Sequence, residues 1–204
     1  MRVTAAVGLT VACSSSTPPT TPSGPRSLTG TVTDRIGDAL VVPGVPISPD
    51  LAMGALEVGG GNLTITVSYA PGTMSQTRSL FFAYLDVDEN PATGNPGVPA
   101  GGGVADSNLI GWEYAIGGVD PADSGRASVL RATGTGGTVT LSSVPVTFPS
   151  PDQIRVVVPM SLLGNADGHM NFKIACFQWL GQQPPTSSVL DYMPDLGAPP
   201  GAVR

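Results

Sequence analysis

The sequence predicts an all-β domain, a single antiparallel sandwich or barrel with little helix, and three observations predict it. Gly and Pro are abundant, 27 and 21 of 204 residues, and both interrupt helices while serving turns. Short runs that alternate apolar and polar residues recur along the chain, separated by Pro-, Gly- and Asp-rich turns. Charged residues are only 12% of the chain, about half the usual share, so small polar residues must keep it soluble. Heptads and repeats of fixed period are absent, and the length suits one domain with its own core.

The N-terminus comes first. Arg2 precedes an apolar stretch from Val3 to Val11, which is too short to span a bilayer but suits a signal peptide. Ala12 is a small residue at a cleavage position, and Cys13 follows it. The expected organisation is a signal over 1–12, a flexible Ser/Thr/Pro tether over 13–26, a β domain over 27–197 and a tail over 198–204. The expected location is exported, either lipid-anchored at the cell envelope or secreted.

The first strand is expected at 28–33. LTITVSY at 63–69 places Leu63, Ile65, Val67 and Tyr69 on one face, and GGGN before it pairs it with 51–58 as a hairpin. Further strands are expected at 80–87, 109–116, 127–132, 139–146, 154–158 and 172–179. One short helical turn is expected, MSLLG at 160–164 after Pro159. Cys176 shares a strand face with Phe172 and Ile174 and reads as a small buried hydrophobe. A disulfide to Cys13 is discounted.

Net charge is −6, sequence pI about 4.4, and Lys173 is the single lysine. Such a chain has no basic stripe to neutralise phosphates, which excludes nucleic acid as a partner. Clustered aspartates suit a cation instead. The strongest local signal is DVDENPATG at 86–94. Phe81, Ala83, Leu85 and Val87 are expected to face the core, with Phe82, Tyr84, Asp86 and Asp88 on the opposite face. Two carboxylates then stand on one side where strand becomes loop. Glu89, Asn90 and the carbonyls around Thr93 could complete the six to eight oxygens that calcium takes. The loop is not an EF-hand, because Pro91 stands at its sixth position and Gly97 at its twelfth. Asp34, Asp38 and Asp50 form further acidic groups, and Glu113, Asp191 and Asp195 stand in GWEYAI and DYMPDLG. The expected metal ligands are Asp86, Asp88, Asn90, Thr93, Asp34, Asp38, Asp50, Glu113 and Asp191, with calcium as the cofactor. Against this, Asp and Asn in loops also cap turns through the backbone without any metal.

TDRIGDA, SPDL, LTITVSY, LDVDENPATG, GWEYAI, VVVPMSLLG and DYMPDLG taken together resemble a group of exported bacterial β-sandwich domains. That group is related to the DOMON-like and family 9 carbohydrate-binding-module-like superfamily. The resemblance covers 28–197 and includes an Asp-x-Asp-x-Asn-x-x-Thr-Gly element, here Asp86, Asp88, Asn90, Thr93 and Gly94. It implies a jelly-roll sandwich, often with bound calcium, in surface or secreted proteins. Cys13 and the residues before it similarly resemble a bacterial lipoprotein signal, which implies a lipid on Cys13 and membrane attachment through that anchor only.

Catalysis is not expected. His169 is the single histidine, in a polar turn, and no nucleophile motif accompanies it. One histidine and one cysteine in the domain do not make a zinc site. The expected function is a non-catalytic, calcium-binding surface or structural module. The alternatives are a carbohydrate-binding module, with Trp112 and Tyr114 as its ligand platform, or a hydrolase in which several carboxylates converge in a deep cleft.

Overall fold

The computed structural model describes residues 27–41, 48–75, 79–97, 110–118, 125–134, 136–178 and 189–204. Cys13, Leu109 and Trp179 lie outside these residues. Among the described residues, eleven strands account for the architecture: β1 Leu28–Thr33, β2 Leu51–Gly59, β3 Asn62–Tyr69, β4 Ser79–Asp86, β5 Tyr114–Gly117, β6 Arg126–Ala132, β7 Thr138–Ser150, β8 Gln153–Pro159, β9 Met170–Gln178, β10 Val189–Met193 and β11 Gly201–Val203. They form one antiparallel sheet in the order β1-β2-β3-β8-β7-β6-β5-β4-β9-β10, with β11 also on β9. The sheet comes close to closing as a barrel, because Thr29 and Arg204 exchange two backbone hydrogen bonds of 3.2 Å and so bring β1 to the end of β11.

Local chemistry explains the elements. Along β3, Leu63, Ile65, Val67 and Tyr69 are buried and alternate with partly exposed residues. Gly60 and Gly61, with φ of 57° and 78°, form the two-residue turn from β2. Both positions need positive φ, which glycine supplies without a Cβ clash. The short helical turn is a 3-10 helix, Met160–Leu163, closed by the Gly164 N–H on the Met160 carbonyl. β7 runs well past the expected 139–146. Its first part pairs with β6 and its last part with β8, so one bent strand carries the sheet around a corner. β5 is shorter than expected. Gly111, at φ 64°, interrupts the approach, and Trp112 makes only an isolated bridge with Asn95.

Three expectations need correction. The segment 198–204 is not a tail: Gly201–Val203 pairs with Met170–Phe172, and Val203 is buried. Three residues are too few to show periodicity. β4 is covered on both faces, not one. Phe81, Ala83 and Leu85 are fully buried, yet so are Tyr84 and Asp86 on the opposite side. The covering layer is aromatic: the Tyr84 ring lies 5.2 Å from Trp112 and 6.0 Å from Phe82, which meets Phe177 edge-on at 5.5 Å. Trp112 and Tyr114 are both buried rather than presented as a platform. Trp112 is held there by its indole N–H, which donates to the Gly97 carbonyl at 2.8 Å. Cys176 is a buried free thiol whose Sγ lies 3.3 Å from the Pro49 carbonyl oxygen.

Candidate metal centres

The structure gathers the acidic residues into two separate groups. Asn171 and Cys176 mark their places on β9: Asp86 pairs in register with Asn171, and Asp191 with Cys176. The groups thus lie near opposite ends of that strand, roughly 17 Å apart at the usual rise per residue.

The loop group comprises Asp86, Asp88 and Glu113, each offering a carboxylate oxygen within 4.8 Å of the others. β4 delivers Asp86 at its last residue. The loop then folds back, so that the Asn90 N–H donates to both Asp86 Oδ1 and Asp88 Oδ1 at 3.0 Å. Asn171 on β9 donates to Asp86 Oδ2 at 3.2 Å. Glu113 enters from the far side of the loop, its N–H on the Leu85 carbonyl and its Oε2 accepting from the Val87 N–H at 3.0 Å. The glycine of the motif is required. Gly94 has φ 60°, and a Cβ there would sit 2.4 Å from the Trp112 carbonyl oxygen and 2.7 Å from Glu113 Oε1. Burial raises Asp86 and Glu113 above the usual carboxylate range, and the Asp88 charge adds to both shifts.

The Thr93 hydroxyl sits between Asp88 and Glu113 of this group. Its oxygen lies 2.8 Å from the Asn90 carbonyl, 2.9 and 3.0 Å from the two Asp88 oxygens and 3.1 Å from Glu113 Oε1. A hydroxyl has one proton to donate. Most of these contacts are therefore oxygen against oxygen, an arrangement that a cation favours and bare carboxylates oppose.

The second group is assembled from distant parts of the chain. Asp34 follows β1, Asp38 lies in the next loop, Asp50 precedes β2, Asp191 stands on β10 and Asp195 follows it. They form two triads, Asp34–Asp38–Asp195 and Asp38–Asp50–Asp191, each with oxygens within 4.8 Å. Gly37, at φ 96°, lets the loop turn back so that its N–H donates to Asp50 Oδ2 at 2.8 Å. Ile36 is 61% exposed, so Arg35 and Ile36 do not separate Asp34 from Asp38; the loop bows outward between them. Asp191 accepts from the N–H groups of Leu51 at 2.7 Å and Tyr192 at 2.9 Å. Two buried oxygens accept no hydrogen bond, Asp34 Oδ2 and Asp50 Oδ1. Burial pushes Asp34 up to about 6 and Asp191 up to about 7, with the neighbouring aspartates contributing. Burial also raises Asp50.

The seven expected carboxylates thus fall in one group or the other, and Asn90 and Thr93 lie in the loop that carries the first group. Asp195 was not among the expected ligands. Its signal was present in the sequence, four positions after Asp191 in DYMPDLG, but nothing local marks it as facing β1. His169 and Cys176 lie near opposite ends of β9, seven positions and roughly 23 Å apart, so they do not form a catalytic pair. Comparison with known proteins finds no family model that matches the chain and no matching curated protein.

Proposed function

We propose that this chain is an exported, lipid-anchored module that binds calcium and acts at the cell surface as a non-catalytic structural or binding domain. The observation that carries the calcium reading is the Thr93 hydroxyl among four acceptor oxygens of Asp88, Asn90 and Glu113, beside the Asp86–Asp88–Glu113 carboxylate group. Calcium accepts six to eight oxygens in irregular geometry, and carboxylates, a hydroxyl and loop carbonyls are its usual donors. As a fold, we propose the jelly-roll sandwich form of the near-barrel, with β7 shared by two facing halves. In support, a Cβ on Gly54 of β2 would sit 2.5 Å from Ile174 on β9, so those strands face one another closely.

The non-catalytic reading has geometric support. Carboxylates within each triad offer oxygens within 4.8 Å of one another, closer than the separations of about 5 Å or more at which two carboxyls flank a sugar ring. The burial of Trp112 and Tyr114 withdraws the stacking platform expected of these two residues. Export and anchoring are supported by the signal-like residues before Cys13 and the Ser/Thr/Pro run after it.

The test of calcium binding is a thermal melt in EDTA, in calcium and in magnesium. A calcium concentration about a hundredfold above the dissociation constant should add ~2.7 kcal/mol and raise the melting temperature by roughly 5–10 °C. Magnesium should do less, since it demands tighter octahedral geometry. Asp86→Asn with Asp88→Asn should lose the loop's share of the response while keeping the fold, because asparagine is isosteric with aspartate. Identical wild-type curves in EDTA and millimolar calcium would reject the reading. The anchor is tested separately: Cys13→Ser should move the protein from the membrane fraction to the soluble one, and unchanged fractionation would rule out lipidation.

A further inference from the structure

The near-barrel has a seam where its first strand meets its last segments. On one stretch the seam is closed by backbone: Thr29 and Arg204 exchange hydrogen bonds. The approach is so tight that a Cβ on Gly30 would lie 2.3 Å from the Ala202 carbonyl oxygen. Past Gly201 the closing edge breaks. β10 and β11 lie in series along β9, separated by the turn around Asp195. Among the described residues, no backbone pairing joins β1 to β10.

In place of backbone pairing, this stretch of seam holds carboxylates from both sides. Asp34, Asp38 and Asp50 come from the β1–β2 side, and Asp191 and Asp195 from the β10 side. The two triads share Asp38 and nothing else. Each triad contains one buried oxygen that accepts no hydrogen bond: Asp34 Oδ2 in the first, Asp50 Oδ1 in the second. The Asp50 side chain is only 5% exposed, so its carboxylate is held in the cluster without solvent to compensate it.

We propose that a pair of calcium ions bridged by Asp38 closes this stretch of the seam, one held with Asp34 and Asp195, the other with Asp50 and Asp191. The proposal rests on reading the chain as a calcium binder, but not on the loop group. Five carboxylates around one divalent cation would leave three charges unbalanced, whereas two cations leave one. The donors are all oxygens, which favours a hard cation over zinc or copper. The ions would replace the missing hydrogen bonds between β1 and β10, so that the sheet is joined by backbone at one end of the seam and by metal at the other.

The experiment is equilibrium dialysis of the full chain against radioactive calcium at neutral pH, with circular dichroism confirming the fold of each variant. Wild type should bind three ions, two at the seam and one at the loop. Asp86→Asn with Asp88→Asn should leave two. Asp38→Asn, at an exposed position, should remove both seam ions and leave one. Asp195→Asn, also exposed, should remove only one. Loss of no ion or only one in Asp38→Asn overturns the bridged pair, as does a double loop variant that retains fewer than two ions. A chain that binds two ions, both retained in the loop variant, sinks the loop site and leaves the seam pair standing. A chain that binds one ion, lost in the loop variant, does the reverse, and no bound calcium rejects both.

Discussion

The loop and seam groups use the same side chain on opposite plans. The loop group is local: Asp86, Asp88, Asn90, Thr93 and Glu113 all belong to the crossing from β4 to β5. Its carboxylates are partly satisfied by N–H groups of that crossing, from Val87 and Asn90, so the loop already holds itself as a capped turn. The seam group draws on positions 34 to 195 and leaves two buried oxygens without hydrogen bonds. A cation at the loop would order a turn that is largely formed, whereas cations at the seam would join the first and last strands of the sheet. The number of carboxylates in a site therefore does not by itself set its consequence for stability; the chain separation they bridge matters too.

The largest expected difference between the groups is in pH dependence without metal. Asp34 and Asp191 have folded-state values raised to about 6 and about 7, so the folded chain holds their protons more tightly than the unfolded chain does. That contribution is fully present below the ordinary aspartate value near 4 and is lost as pH rises through 6 and 7. In EDTA, stability should fall between about pH 4 and 7.5; the two shifts correspond to about 7 kcal/mol at full value, which solvent screening reduces to on the order of 3 kcal/mol. In saturating calcium the fall should vanish or reverse, because the ions bind the deprotonated carboxylates. Chemical denaturation across this range, with and without calcium, measures it. Asp34→Asn with Asp191→Asn should flatten the EDTA profile far more than the double loop variant does. A profile in EDTA that rises steadily to pH 7.5 would show that the seam carboxylates do not control it.

A smaller effect separates the two ends of the seam. Gly30→Ala puts a Cβ against the Ala202 carbonyl, where 2.3 Å leaves no room, and should cost about 1–3 kcal/mol through forced backbone movement. Gly59→Ala is the control, since its Cβ would meet only Ser27 Cβ at 3.4 Å. Gly30→Ala should also weaken calcium at the seam while leaving the loop ion unchanged, which denaturation and calcium titration together would show. Equal stability of the two variants would mean that β1 yields easily and that the backbone contributes little to closure.

Much of this was legible in the sequence because the deciding interactions are local. Alternation in LTITVSY identified β3 and its buried face, Gly60 and Gly61 its turn, and Pro159 before MSLLG the 3-10 helix. The spacing of Asp86, Asp88, Asn90, Thr93 and Gly94 outlined a loop that could hold oxygens, because a strand end and a tight turn place these side chains whatever surrounds them. Other features depended on what packs from elsewhere. Period two separates the faces of β4 but does not say that aromatic rings from Trp112 and Phe177 pack over Tyr84 and Phe82 on the second one, or that Asp86, Trp112 and Tyr114 end up buried. Three residues at 201–203 carry no pattern of their own and become a strand only where β9 and β1 offer hydrogen-bonding partners. The meeting of Asp195 with Asp34 and Asp38 belongs to the same class. Side-chain periodicity is a property of neighbours along the chain, whereas the closure of a sheet is decided by which edges meet, and only the tertiary structure brings those edges together.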